Sequence, residues 1–255
     1  MVIFMEQKTN SFGMQYNSSP VTSPAVASNV VTSTVVTSTV VTSANNVDSI
    51  YQANKSIKLF SRAYLTYLAK LLEQLDLDQI EKVCEMIVEA YEYDKQIFFI
   101  GNGGSAATAS HFSTDLGKGT RAPGKKPFRA ISLTDNVSYI TAAGNDEGYD
   151  RIFTIQLEML MNPGDLVVGI TASGNSPNLV NAFEYAKTKG KTIGILGFDG
   201  GKLLALSDVA ILVKTPKGEY GPVEDIHMVM DHLLTNYLMR VLRDKDQLKR
   251  AHISN

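Results

Sequence analysis

The spacing of hydrophobic positions changes partway along the chain. Between about residues 50 and 75, Ile57, Phe60, Tyr64, Leu68, Leu71 and Leu75 recur at three- and four-residue steps, which predicts one amphipathic helix. A second helix is predicted from about Asp78 to Tyr93, with Ile80, Val83, Cys84, Ile87 and Ala90 on one face. Beyond it come short, almost continuous apolar runs separated by helical stretches: Gln96–Ile100, Phe128–Leu133, Leu166–Thr171, Thr192–Leu196 and Val209–Val213. Strands that are apolar throughout and alternate with helices predict an α/β fold, a doubly wound parallel sheet covered on both faces. Such sheets bind ligands outside the carboxyl ends of their strands, and the glycine- and serine-rich turns of this chain fall at those ends.

Residues 1–48 follow neither pattern. They carry the repeats Val30-Val-Thr-Ser-Thr, Val35-Val-Thr-Ser-Thr and Val40-Val-Thr-Ser-Ala, with hardly any charge and no catalytic residue type. This reads as a low-complexity tail, 1–48, ahead of one domain, 49–245, with a short C-terminal tail at 246–255. The net charge of −2 supplies no general attraction to nucleic acid. Cys84 is the only cysteine, so no intrachain disulfide can form, which fits a cytoplasmic protein. No run is long and apolar enough to span a bilayer, and the opening Met-Val-Ile-Phe-Met is too short for a signal-peptide core.

Chemistry concentrates in three places. The first is Gly101-Asn-Gly-Gly-Ser-Ala106, directly after a strand and opening a helix. There backbone N–H groups of Asn102 and Gly103 and the Ser105 hydroxyl could cradle an anion at a helix N-terminus. The loop matches G-x-G-x-x-A, a weak signal alone, and it lacks the Gly-Lys-Ser/Thr of a P-loop, so no nucleotide cofactor is expected. The second is Thr171-Ala-Ser-Gly-Asn-Ser176 with Pro177 after it, where Thr171, Ser173 and Ser176 offer hydroxyls beside a helix start. A capped turn is the bland alternative for these serines. Two such loops suit a compact phosphosugar better than a dinucleotide, which needs only one glycine-rich loop.

The third place is acid/base. His111 and Asp115 are four residues apart and therefore neighbours on one helix face. In Val223-Glu-Asp-Ile-His-Met-Val-Met-Asp-His-Leu-Leu-Thr235, the residues Ile226, Val229, Met230, Leu233 and Tyr237 form an apolar stripe. Glu224, His227, Met228, Asp231, His232 and Thr235 form a mostly polar one. For Asp225 and Asp231 the expectation is a solvated face. His227 and His232, five positions apart, point in different directions.

These motifs, with Gly197-Phe-Asp-Gly-Gly-Lys between them, stand in an order that resembles the phosphoheptose isomerases (sedoheptulose 7-phosphate isomerases) of the sugar isomerase, or SIS, fold. The similarity spans roughly residues 50–243. It implies a five-stranded parallel sheet flanked by helices, and a homotetramer with active sites at subunit interfaces. It also implies interconversion of sedoheptulose 7-phosphate with an aldoheptose 7-phosphate. Carried over by motif, Ser105, Ser173 and Ser176 hold the phosphate with Thr171 nearby, Asp115 is the base, and His232 is its acid/base partner. Some members bind zinc through residues corresponding to His111, Asp115, Glu224 and His232, and Asp146 corresponds to a further site residue. This chain differs from the pattern in having Asp115 for Glu, Glu224 where Gln is more frequent, Gly119 for an Arg, and Ala172 for a hydroxyl residue. A related but different phosphosugar is therefore open as substrate.

A rival from another class is a non-catalytic SIS protein that only binds phosphosugars or assists a replication initiator. His111, Asp115, Glu224 and His232 speak for catalysis, because a binding module needs only the two loops. A dinucleotide-dependent oxidoreductase is disfavoured by the second serine loop and by the lack of a clear ribose-binding acid.

Overall fold

The computed structural model describes residues 45–244. The Val/Thr/Ser repeats and the C-terminal tail at 246–255 lie outside the described residues. Three helices come first: α1 (Val47–Ala53), α2 (Ile57–Glu73) and α3 (Leu77–Glu92). The single helix expected over 50–75 is divided. The Asn54 N–H closes α1 on the carbonyls of Ile50 and Tyr51, and the Ser56 hydroxyl then caps α2 by accepting from the Leu59 N–H at 3.4 Å. Helix α1 starts at Val47, two residues before the boundary expected for the domain, and the Glu219 carboxylate accepts from the Val47 N–H at 3.0 Å.

Five strands follow: β1 (Gln96–Gly101), β2 (Arg129–Ser132), β3 (Leu166–Thr171), β4 (Lys191–Gly197) and β5 (Val209–Val213). They pair in parallel throughout in the order β2-β1-β3-β4-β5. Each lies on one of the apolar runs expected from the sequence. The helices between and after them are α4 (Gly104–Thr114), α5 (Val137–Asp146), α6 (Thr154–Leu160), α7 (Pro177–Lys187), α8 (Gly201–Leu206) and α9 (Tyr220–Arg243). Among the described residues no helix is long and apolar enough to cross a membrane.

Side-chain alternation along the strands sorts the core into two layers. Ile97, Phe99, Val168 and Ile170 face one side and pack with Val83 and Ile87 of α3, Phe112 of α4, and Ile226, Met230 and Leu234 of α9. Phe98, Ile100 and Val167 face the other and pack with Ala143 of α5, Leu157 of α6, Phe183 of α7 and Leu203 of α8. The chain leaves β1 for α4 on the first face and leaves its neighbour β3 for α7 on the second. The carboxyl ends of β1 and β3 thus form a topological switch point, the place where an open α/β sheet leaves a crevice.

Helix α9 sits differently from the expected stripes. It buries Val223, Ile226, His227, Met230, Asp231, Leu234 and Leu238, whereas Val229, Leu233 and Tyr237 are 40%, 45% and 54% exposed. The sequence holds two apolar arcs on this helix, and the sheet takes the one centred on Ile226, Met230 and Leu234. That rotation carries His227 and Asp231 inward, so the solvated face expected for Asp231 is corrected. Asp225 is exposed, and its carboxylate accepts from the Tyr64 hydroxyl at 2.7 Å.

Neither ring nitrogen of His227 has a hydrogen-bond partner of good geometry, and burial pushes its pKa down to about 4, opposed in part by the nearby Leu196 backbone. The folded protein therefore keeps this ring neutral where the unfolded chain, at an ordinary value of 6.5, protonates it. Stability is lost as pH falls from the unfolded value toward the folded one, by about 3 kcal/mol in total for this group. Urea unfolding of wild type and His227→Gln between pH 7 and pH 4 should show the wild type losing that much more. Parallel profiles would contradict this account of the buried ring.

Candidate active site

The first loop ends β1 at Gly101. Gly103, at φ +55° and ψ −124°, is the N-cap of α4 and occupies backbone space open to glycine. Ser105 lies buried in the first turn of α4. Asn102 is committed to the protein: its amide exchanges hydrogen bonds with Asn178 of α7 at 2.9 and 2.8 Å, and the Tyr149 hydroxyl donates to its Oδ1 at 3.1 Å. It joins the two phosphate-type loops rather than pointing away from them. Neither Asn178 nor Tyr149 stands out in the sequence, since an isolated Asn or Tyr carries no motif.

The second loop leaves β3 beside the first. The Thr171 hydroxyl accepts from the Gly174 N–H at 3.3 Å and the Ser173 hydroxyl from the Asn175 N–H at 3.3 Å. Ser176 is the N-cap of α7, yet its side chain makes no capping hydrogen bond, which weakens the bland reading of this serine as a cap. The turn after β4 supports the loop from behind. The Leu203 N–H donates to the Gly174 carbonyl at 3.0 Å and the Lys202 N–H to Asn175 Oδ1 at 3.1 Å. Gly174 has φ +62°, and a Cβ there would strike the Gly200 carbonyl. The Gly197-Phe-Asp-Gly-Gly-Lys motif is thus a buttress for the serine loop.

The acid/base residues converge where α4 and α9 lie side by side. Glu224 of α9 lies against Gly104 at the start of α4, and two turns further on His232 Nε2 is 3.2 Å from His111 Nε2. Helix α4 gives way at Asp115 to a π-helical turn, Asp115–Gly119, closed by the Thr120 N–H on the Asp115 carbonyl. Such wide turns often mark functional sites. Here the turn keeps Asp115 Oδ2 3.4 Å from His111 Nε2 while Gly119 stands beside the same carboxylate.

Asp231 Oδ2 is 3.9 Å from His111 Nε2, and donor atoms of His111, Asp115, Asp231 and His232 all lie within 4.8 Å of one another. Burial, then the Asp115 charge, pushes the Asp231 carboxyl up to about 7. In a tetrahedral cation site with bonds of about 2.0–2.2 Å, neighbouring donor atoms are about 3.3–3.6 Å apart; the His232 and Asp115 atoms stand at about that spacing from His111 Nε2, and the Asp231 atom stands a little wider. Within one chain Glu224 stands apart from that group, since eight residues of helix separate it from His232, about 12 Å of rise. Asp146 ends α5, exposed, with its carboxylate accepting from the Asn145 amide at 2.7 Å, and no described hydrogen bond joins it to either loop.

The class follows from a parallel α/β sheet carrying two hydroxyl-bearing loops and a His/carboxylate cluster: the SIS domain matches over residues 63–197. Relatives narrow it. The chain is 39% identical over 173 residues to a phosphoheptose isomerase of Aliarcobacter butzleri, covering 68% of this chain and 89% of the relative. It is 37% identical over 185 residues to that of Helicobacter pylori strain P12, covering 72% and 94%. The solved phosphoheptose isomerase of Neisseria gonorrhoeae superposes with a TM-score of 0.65 at 28% identity, over 73% of this chain and all of that one. That of Francisella tularensis gives 0.64 at 27%, over 72% and 96%. The chain belongs to the phosphoheptose isomerase family of SIS-domain proteins, a family of phosphosugar isomerases.

The buttress is testable without substrate. Gly174→Ala combines a positive φ with a backbone collision and should destabilise the fold by about 2–4 kcal/mol, read as a lowered Tm in thermal unfolding. An unchanged Tm would mean that the β4 turn does not hold the serine loop.

Proposed function

We propose that this chain interconverts sedoheptulose 7-phosphate and D-glycero-D-manno-heptose 7-phosphate, with the phosphate between the two loops and the carbonyl end at the His/carboxylate cluster. The observation that carries the reading is the approach of Asp115 and His232 to a common centre, His111, on helices that begin at the ligand-binding edge of the sheet. Ser105 and His111 are six residues apart on α4, about 9 Å of rise, a span that suits a seven-carbon chain and exceeds a triose.

Asp115 takes the proton from C1 of the ketose while His232 gives a proton to O2, which forms the enediol. Asp115 returns a proton to C2 as His232 removes the one on O1, which leaves the aldehyde at C1. The Asp115 side chain is 36% exposed and the His111 ring 45%, so substrate can reach both from solvent. Ser105, Ser173 and Ser176 bind the phosphate with the helix N-termini of α4 and α7, and Thr171 shapes the loop. Asn102 and Gly103 contribute by fixing the first loop, and Asp146 is retained as a substrate contact on the family resemblance alone.

The cation-holding residues in this reading are His111, Asp115 and His232, and zinc is the metal that the resemblance implies. Glu224 is the fourth residue the resemblance assigns. Because a ring nitrogen that holds a cation cannot also carry a proton, a divalent cation here would take over the role of His232 at O2, supplying Lewis-acid stabilisation of the negative charge that develops on the substrate oxygens. Copies of the chain assemble as a homotetramer with sites at subunit interfaces. Support comes from the exposed apolar stripe Val229, Leu233 and Tyr237, which runs beside His232 on α9.

Purified protein incubated with sedoheptulose 7-phosphate, with and without zinc, should form the aldose and run as a tetramer in light scattering. Asp115→Asn and His232→Gln should lower kcat by about 100- to 10,000-fold. Ser173→Ala and Ser176→Ala should raise KM instead, because they touch the phosphate and not the reacting carbons. Absence of turnover on this and other ketose phosphates, with phosphosugar binding intact, would contradict the proposal and leave a binding protein.

A further inference from the structure

Asp231 is the carboxylate of the cluster that solvent does not reach. Its side chain is fully buried, and neither carboxylate oxygen has a hydrogen-bond partner among the described residues. A buried, ionised carboxylate is costly unless an opposite charge meets it, and an orphaned one in a folded protein calls for a reason. Among the described residues neither Asp115 nor Asp231 has a lysine or arginine partner.

The surroundings supply that reason. Three groups approach the same atom, His111 Nε2: His232 Nε2 at 3.2 Å, Asp115 Oδ2 at 3.4 Å and Asp231 Oδ2 at 3.9 Å. One ring nitrogen carries at most one proton, so hydrogen bonding cannot satisfy three neighbours that converge on it. A cation among them can. Within one chain the Glu224 carboxylate lies against Gly104 in the first turn of α4, where the helix dipole favours negative charge.

We propose that Asp231 joins His111, Asp115 and His232 as a direct ligand of a divalent cation, so that two imidazoles and two carboxylates of one chain hold it. Two nitrogen and two oxygen donors suit zinc, cobalt, manganese or ferrous iron and not a thiophilic ion. The inference rests on reading the cluster as the cation site of the isomerase, but its test does not use turnover.

Full-length protein stripped with a chelator is titrated with Co²⁺, followed by its visible absorption, and with Zn²⁺ in competition with a chromophoric chelator. Circular dichroism checks the fold of each variant. Wild type should bind one ion per chain. Asp231→Asn and Asp231→Ala should bind about 100-fold more weakly or worse with altered cobalt bands, and Asp225→Asn, on the exposed side of the same helix, should stay within about threefold of wild type. Wild-type affinity in the folded Asp231 variants, or a wild type that binds neither ion, overturns the assignment. A crystal of the wild type grown with Co²⁺ decides without any variant. An anomalous peak within about 2.2 Å of an Asp231 carboxylate oxygen supports the ligand, and a peak clear of Asp231 overturns it. Loss of sugar-phosphate turnover with cobalt binding intact would count against the proposed activity and leave the ligand assignment standing.

Discussion

The site depends on one packing arrangement: α4 and α9 lie side by side on the same face of the sheet and run in the same direction. Each helix that follows a strand in a parallel sheet returns antiparallel to it, so helices in one layer are parallel to each other. The consequence is a fixed alignment. Glu224 meets Gly104 at the top, and His232 meets His111 two turns below. The His/carboxylate cluster is therefore carried on rigid elements, whereas the Thr171 and Ser173 hydroxyls sit at the loop above.

Two devices set the level of that alignment. The π-helical turn at Asp115–Gly119 adds a residue to the helical turn just where the carboxylate must face His111. The Asn102–Asn178–Tyr149 network and the β4 turn behind Gly174 tie the loops together at the switch point. A phosphate bound between the loops would thereby be held in register with the cluster, at the spacing along α4 from Ser105 to His111. Burying Asp231 and His227 on α9 costs stability in opposite pH ranges. His227 opposes folding at acid pH. Asp231, whose carboxyl is pushed up by burial, opposes it as pH rises through its ordinary value toward about 7.

Much of this is legible in the sequence, for physical reasons. Apolar runs such as Leu166–Thr171 are too short and too continuous for surface helices, so the parallel sheet can be read from them. The loops are legible because glycine frees the backbone, serine adds a hydroxyl, and both follow directly on strands whose carboxyl ends take ligands. Helix α9 misleads because it carries two apolar arcs, and periodicity alone cannot tell which of them a sheet will cover. Burial against the sheet chooses Ile226, Met230 and Leu234, exposing Val229 and Leu233 and turning Asp231 inward. The break at Asn54–Ser56 escapes the pattern for a similar reason: the apolar spacing continues across it, and only the caps reveal the division. Asn178 and Tyr149 act through partners distant in sequence, which no local pattern records.

The central claim is that Asp115 and His232 move a carbon-bound proton between adjacent carbons of a phosphorylated sugar. NMR of the reaction run in D₂O with sedoheptulose 7-phosphate tests it most directly. Asp115 is accessible to solvent, so a proton resting on it exchanges, and the aldose should carry deuterium at C2. Aldose formed with hydrogen fully retained at C2, or no aldose at all, would contradict the account.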